Sequence, residues 1–434
     1  MDGIDARALE RRTMRKVMWR LLPLVALMFL CNSVDRVNVS FAALTMNKDL
    51  GLSTLGYAWG AGIFFFAYFA FEIPSNLIME KVGARLWMTR IMLTWGMVSA
   101  ATALVTGIKS FLLVRFLLGA AEAGLVPGIV LYISYWFPPL YRGRAVAFFV
   151  LAQPMSFVVA GLLSAPLLRM EGVAGLHGWQ WMFLLEAVPS LLLSLVVFRF
   201  LTDRPRAAAW LTPEERRWLE ARTEQPAAHA NMLAELRLLL DRRIAFLATI
   251  YIGRTTAMYG ISLFLPLIVQ GMGVSNERNG LISAMPFFVA TMGSLLIGWS
   301  SDRRGERHWH TIGNMGLAAV GMAAAAWLGV SAWSLVAISL AAIGLYAQPS
   351  TFWPLPGRML APSMAAAAIA AINAIGNLGG FFGPYIVGWT QQATGDYASG
   401  LYLLAGFALA SGGLGIVLKR RKWEREEAVS QVPL

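Results

Sequence analysis

Asp35, Arg36, Arg115, Glu122 and Arg254 are charged residues inside long apolar stretches of this 434-residue chain. A charge at the centre of a bilayer costs about 2.5–3.5 kcal/mol on insertion scales, so such residues usually face a hydrated cavity and mark the path of an ion or solute. Arg115 and Glu122 are seven apart, which on a helix returns them to one face within about 20°. Gly119 lies between them and leaves room for a neighbouring helix or a ligand. In the first stretch Asn32, Arg36 and Ser40 form an i, i+4, i+8 stripe with Asp35 beside it. These residue types can bind an anion and exchange protons. A guanidinium meets a carboxylate through two parallel hydrogen bonds. Apolar walls raise a carboxyl pKa and nearby arginine lowers it, so the balance can leave an acid able to exchange protons. With both acids ionised the five residues sum to +1, and with both protonated to +3, which favours an anion. The alternative is a pair of fixed ion pairs, Asp35–Arg36 and Arg115–Glu122, that only hold helices, although buried pairs stabilise poorly compared with apolar packing.

The elements that must position these groups are legible from composition. The chain is 57% hydrophobic and 14% charged, with a mean hydropathy of +0.59. A soluble protein would be nearer a quarter charged. Apolar runs long enough to cross about 30 Å of hydrocarbon recur along the chain. We place twelve helical spans at 17–44, 55–79, 86–105, 111–136, 145–168, 181–200, 244–269, 280–299, 310–328, 333–353, 365–389 and 401–418. The expected fold is all-α and polytopic, with two six-helix bundles at 1–201 and 244–434 and a polar linker at 202–243. In the linker, Thr212 can cap a helix opened by Pro213, Glu214 and Glu215. The linker is expected to form short amphipathic helices along the membrane surface.

The net charge of +12 is set by topology rather than by nucleic acid. The termini and the even-to-odd loops carry 29 of the 36 Lys and Arg, and the opposite loops carry four: Lys48, Lys109, Arg169 and Arg278. Basic loops stay in the cytoplasm, so both termini are expected there and the cytoplasmic membrane is the expected location. The first apolar run, with no small-residue cleavage site after it, reads as a retained helix. Cys31 is the single cysteine, so no intrachain disulfide can form. The four histidines (177, 229, 308, 310) form no metal-like cluster, and there is no Gly-x4-Gly-Lys-Ser/Thr loop for a nucleotide. No nucleophile–base arrangement stands out. No enzyme activity, cofactor or metal is implied, and a monomer is expected.

A loop pattern recurs in the two halves. Glu80-Lys81-Val82-Gly83-Ala84-Arg85 follows the second span, and Asp302-Arg303-Arg304-Gly305-Glu306-Arg307 follows the eighth. Both read acid, base, any, Gly, any, Arg, as a duplicated six-helix unit would. The pattern resembles the signature loop of the major facilitator superfamily, the second copy more fully, since the first has Asn76 and Glu80 where Gly and Asp are usual. Glu80, Lys81, Gly83 and Arg85, with Asp302, Arg303, Gly305 and Arg307, then form either a gate latch on the cytoplasmic side or simple helix-end caps.

Asp35-Arg36-Val37-Asn38, Arg115 to Gly124, Gly178-Trp179-Gln180-Trp181 with Glu186 and Pro189, Ala209-Trp210-Leu211-Thr212 and Asn373 to Gly380 narrow the resemblance to the anion:cation symporter family, closest to bacterial permeases for acids such as tartrate, phthalate and sugar acids. The resemblance implies proton-coupled uptake of a carboxylate. It matches Asp35 and Glu122 to proton-coupling acids and Arg36 and Arg115 to basic positions near the substrate. It aligns Tyr68, Gln153, Ser350 and Asn373 with substrate contacts of sugar-acid permeases, although each can equally be an interhelical hydrogen bond.

Other positions stay open between two readings. Arg254 shares a face with Met258 and Ser262 and can take the second carboxylate of a diacid, or it can snorkel to the surface or pair with Asp241 or Glu235. Trp353 and the Pro349/Pro354/Pro356 cluster can form a pocket wall or pack as a kink. Gly376, Gly380 and Gly383 are expected to permit close packing. Glu72, before Pro74, is expected to act as a gate or cap. The alternative functions are an exchanger, a carrier of aromatic acids, or a membrane receptor that binds a carboxylate without moving it.

Overall fold

The computed structural model describes residues 3–150, 152–223, 241–359 and 362–420, and every regular element among them is helical. The first spans are α1 (Gly3–Asp49), α2 (Thr54–Val82) and α3 (Ala84–Ala101). The fourth is two segments, α4 (Ile108–Glu122) with α5 (Leu125–Trp136), and the fifth is described as α6 (Pro139–Val150) and α7 (Ala152–Leu168), on either side of residue 151, which lies outside the described residues. The sixth is α8 (Gly178–Phe200), and α9 (Pro213–Glu220) lies in the linker. The second half holds α10 (Arg242–Gly271), α11 (Asn276–Arg304), α12 (His308–Leu328), α13 (Ala332–Phe352) and a short α14 (Pro356–Met359). It ends with α15 (Pro362–Asn377), α16 (Gly379–Thr394) and α17 (Ala398–Arg420). The positions match the twelve expected spans. Among the described residues nine helices are long and apolar enough to cross a membrane.

The outer faces carry large apolar side chains such as Leu195, Leu296 and Val320, each more than 60% exposed. These are costly in water and suited to hydrocarbon.

Two local features were not legible as spans. At about 1.5 Å per residue, the 47-residue α1 runs well past a bilayer. Its first turns are gripped by the linker: Thr212 caps α9 in a capping box with Glu215, and the buried Glu215 carboxylate takes Arg12 Nε at 2.7 Å and Lys16 Nζ at 2.8 Å. The linker helix is thus packed on α1; residues 224–240, with Glu235 and His229, fall outside the described residues. The fourth span breaks directly after Glu122, because Gly124 adopts φ +89. A Cβ there would lie 2.4 Å from Ser75 Oγ, so only glycine fits the turn.

The two halves meet tightly on the face away from the termini. Gly161 of α7 and Gly280 of α11 press backbone to backbone, and a Cβ on Gly280 would sit 2.1 Å from the Gly161 carbonyl oxygen. Tyr57 donates to the Leu263 carbonyl at 2.8 Å and Gln270 to the Leu44 carbonyl at 3.2 Å. Arg169 and Glu277 bridge the same rim at 3.0 Å. Gly376, Gly380 and Gly383 do permit close packing, against Tyr251, Phe65 and the Thr256 carbonyl.

Candidate functional site

The site begins on α2, where Gly60, Phe64, Tyr68 and Glu72 recur every four residues and so share a face. The Arg36 guanidinium lies over the Tyr68 ring at 4.6 Å and over Phe64 at 5.4 Å. The Arg115 guanidinium lies over the same Phe64 ring at 5.0 Å and donates from Nε to the Gly60 carbonyl at 3.3 Å. Gly119 makes this reach possible, since a Cβ there would be 2.1 Å from the Phe64 carbonyl oxygen. Two cations close to one aromatic ring are each stabilised by its quadrupole.

Glu122 closes the arrangement. Its Oε2 accepts from Arg36 Nε at 2.8 Å and from Asn32 Nδ2 at 2.7 Å, while Oε1 has no hydrogen bond. Arg115 acts on Glu122 through its charge, but neither of its terminal nitrogens has a hydrogen-bond partner, although the side chain is wholly buried. Leaving buried donors unpaired is costly. They are suited to grip a carboxylate in two-pronged fashion. A cavity of about 10 Å³, lined by Ser33, Arg36, Gln153, Ser156, Phe157 and Tyr259 among others, adjoins this cluster and has room for about one water.

Sequence spacing put Arg115 and Glu122 on one face, which holds, but the hydrogen-bonded partner of Glu122 is Arg36. Asp35 does not pair with Arg36 at all. Its carboxylate turns toward α3 and α8, accepting from Trp95 Nε1 at 2.5 Å, Ser99 Oγ at 3.0 Å and Ser190 Oγ at 3.0 Å. Consecutive residues on a helix diverge by about 100°, so only one of the two can face the centre. Asp35 is therefore a second acidic centre inside the first half, distinct from the arginine cluster.

Arg254 is 1% exposed and points inward. Nε donates to the Leu345 carbonyl of α13 at 2.9 Å, Nη1 reaches the Tyr251 hydroxyl at 3.5 Å, and Nη2 has no hydrogen bond. It does not snorkel, and Asp241 is engaged in capping α10 at the Arg243 and Ile244 amides. Tyr259 lies within electrostatic reach of both Arg36 and Tyr251, so aromatic hydroxyls link the two halves of the site.

The remaining residues named from sequence separate into two groups. Tyr68 carries Arg36, Gln153 lines the cavity, and Asn373 donates to Glu72 Oε1 at 2.9 Å across the two halves. Trp353 packs against the Tyr251 ring at 4.8 Å, next to Arg254. Ser350 is exposed, with its hydroxyl turned back on the Ala347 carbonyl at 2.8 Å. Two residues earlier, the wholly buried Gln348 has neither end of its amide hydrogen-bonded. Sequence reasoning passed over Gln348, Phe64 and Tyr259; the four-residue stripe on α2 is the signal that leads to Phe64.

The repeated loops cap helices. Gly83 turns at φ +98, and the Arg85 amide donates to Asp203 Oδ1 at 2.7 Å. In the second copy Gly305 takes φ +64, Arg307 pairs with Asp302 and donates to Ser301 Oγ at 3.1 Å, and Glu306 accepts the Trp309 amide at 2.6 Å. Arg303 lies over Trp299 at 5.4 Å.

Residues 25–384 match the profile of the Major Facilitator Superfamily. The chain belongs to that superfamily. It is therefore a multi-pass membrane protein and a secondary transporter, not an enzyme. A protein of Agrobacterium vitis named "Putative tartrate transporter" is 45% identical over 425 residues, covering 96% of this chain and 94% of that one. A protein of Acinetobacter baumannii named "Quinolone resistance transporter" is 41% identical over 404 residues, covering 91% and 92%. Among solved structures, a bacterial homolog of the human lysosomal transporter Spinster, in an inward-facing and occupied conformation, superposes with a TM-score of 0.72 at 17% identity, covering 92% of this chain and 96% of that one. At that identity the likeness concerns the fold alone.

Proposed function

We propose that the protein is a proton-coupled symporter that takes up a small organic anion, with a hydroxy-dicarboxylate such as tartrate as the leading substrate. The observation that carries this reading is the shared aromatic seat of Arg36 and Arg115, one bound to Glu122 and the other with both terminal nitrogens unpaired. Arg36, Arg115 and Arg254 bind the anion, with Tyr68, Gln153, Trp353 and Asn373 around it; Ser350, exposed and bonded to its own helix, takes no part. Glu122 competes with the substrate for Arg36. Protonation of Glu122 frees that guanidinium, and loss of the proton on the other side returns the carboxylate and expels the anion. Asp35 carries protons from its own centre behind α1. The relatives named for tartrate support the substrate class.

In this reading the chain works as a monomer in the cytoplasmic membrane with both termini inside. The bundles 1–201 and 244–434 rock about the central site, joined by the linker 202–243. Alternating access requires the Gly161–Gly280 contact to part. The loops Glu80–Arg85 and Asp302–Arg307 stiffen the helix ends on the side that closes in turn. An aromatic acid is the second candidate, because Phe157 stacks on Phe287 at 4.0 Å beside the cavity.

The test is uptake of labelled tartrate into proteoliposomes. An acid-outside gradient should drive accumulation that a protonophore abolishes. Glu122→Gln should keep tartrate counterflow and lose the accumulation. Accumulation that ignores the gradient, or is undiminished in Glu122→Gln, rejects the symport reading.

A further inference from the structure

A third acid, read from sequence as a gate or cap, stands in the central region and takes no part in the transport cycle proposed above. Glu72 of α2 is 2% exposed, and its Oε1 accepts a hydrogen bond from Asn373 Nδ2 of α15 at 2.9 Å, joining residues 301 apart in the chain. Asn377, one turn further on α15, acts on the same carboxyl, as does the charge of Arg36. Glu72 is one turn beyond Tyr68, whose ring carries Arg36. It is also within electrostatic reach of Tyr251, on which Arg254 lies at 5.5 Å. The carboxylate thus sits between two tyrosines that each support an arginine, held by amides of the opposite half. That is the chemical setting a substrate carboxylate would seek: amide donors, phenolic neighbours and guanidinium charge.

We propose that Glu72 is an internal surrogate for the substrate, a tethered anion that occupies the Asn373 donor and offsets arginine charge until an organic acid displaces it. The proposal rests on the organic-anion reading above and adds a specificity function to it. A tethered competitor sets a ceiling on affinity, since an incoming acid must first break the Glu72–Asn373 bond and overcome the negative charge beside it. A ligand bearing two carboxylates gains most from the exchange, because it can replace the lost neutralisation and engage the second half as well. The same bond ties α2 to α15, so its release on binding loosens one contact between the halves and couples occupancy to their movement.

The experiment is binding of L-tartrate to the purified full-length protein by calorimetry, comparing wild type with Glu72→Gln and Glu72→Ala. Removing the charge should tighten binding about tenfold in both variants, and Asn373→Ala should weaken it in the wild-type background. A purely structural Glu72 would not raise affinity. Binding that is unchanged or weaker in both Glu72 variants, with wild type binding tartrate, overturns the surrogate proposal and leaves the transport reading standing. If neither wild type nor variants bind any organic acid, the organic-anion reading falls and this proposal falls with it.

Discussion

Arg36 Nε of α1 lies 2.8 Å from Glu122 Oε2 of α4, and both side chains are buried. The pair is held by one carboxylate oxygen, with Asn32 on the same atom. Removing one partner of a buried pair leaves the other charge uncompensated, which costs about 3–5 kcal/mol. Arg36→Ala and Glu122→Gln should therefore both lower thermal stability, the first by leaving the Glu122 carboxylate without its hydrogen-bonded cation and the second by leaving Arg36 without its counter-charge. Differential scanning fluorimetry of the two variants checks this; wild-type stability in either would mean that the pair is not a stabilising contact.

Asp35 is satisfied by neutral donors of α3 and α8. Trp95→Phe removes the shortest of these bonds while keeping an aromatic side chain and should cost about 1.5–3 kcal/mol, the range for a hydrogen bond to a charged group. Asp35→Asn should abolish gradient-driven uptake while counterflow continues. Uptake assays on the same vesicle preparations test this, and undiminished accumulation in Asp35→Asn would remove Asp35 from proton coupling.

Arg254 faces inward against α13 with one terminal nitrogen unpaired. If it receives a second carboxylate, Arg254→Leu should weaken dicarboxylate uptake by ~10-fold or more, about 1.4 kcal/mol, with a smaller effect on a monocarboxylate. Competition assays with succinate and acetate as the diacid and monoacid distinguish this from a packing role, in which both fall together.

Gly280 and Gly161 are packed so closely that neither tolerates a side chain in this arrangement. Gly280→Val should hold α7 and α11 apart and so impair closure on the face away from the termini. Transport should fall by more than tenfold while tartrate binding persists, read by counterflow and calorimetry. Wild-type counterflow in Gly280→Val would show that this contact does not limit the cycle.

Glu215 links the linker to α1. Burial alone would push its pKa up, but hydrogen bonds from Lys16, Arg12 and the Thr212 amide overcome that and hold it at about 2. Because the folded value lies below the unfolded one of about 4.3, its contribution to stability is complete above that pH and is lost as pH falls towards 2. Thermal unfolding followed from pH 6 down to pH 3 should show wild type losing stability faster than Glu215→Gln over the acid part of that range. Parallel curves would disprove the clamp.

Span positions were readable because a lipid-crossing helix needs about 20 apolar residues, a requirement local to the sequence. The linker cap at Thr212 and the glycine contacts in α15 and α16 were readable for the same reason, since caps and small-residue packing follow local pattern. The break after Glu122 was not, because it depends on Ser75 of another helix filling the space beside Gly124.

Sequence by itself determined that Arg115 and Glu122 share a face, that Arg36 belongs to a polar stripe with Asn32, and that charge enters an otherwise apolar membrane protein. Only the tertiary structure decided which carboxyl meets which guanidinium. Helical periodicity fixes the direction of a side chain on its own axis, whereas a partner depends on how separate axes rotate and pack. Asp35 and Arg36 are chain neighbours that serve different centres, while Glu72 and Asn373 become neighbours only when α2 and α15 are brought together across the two halves.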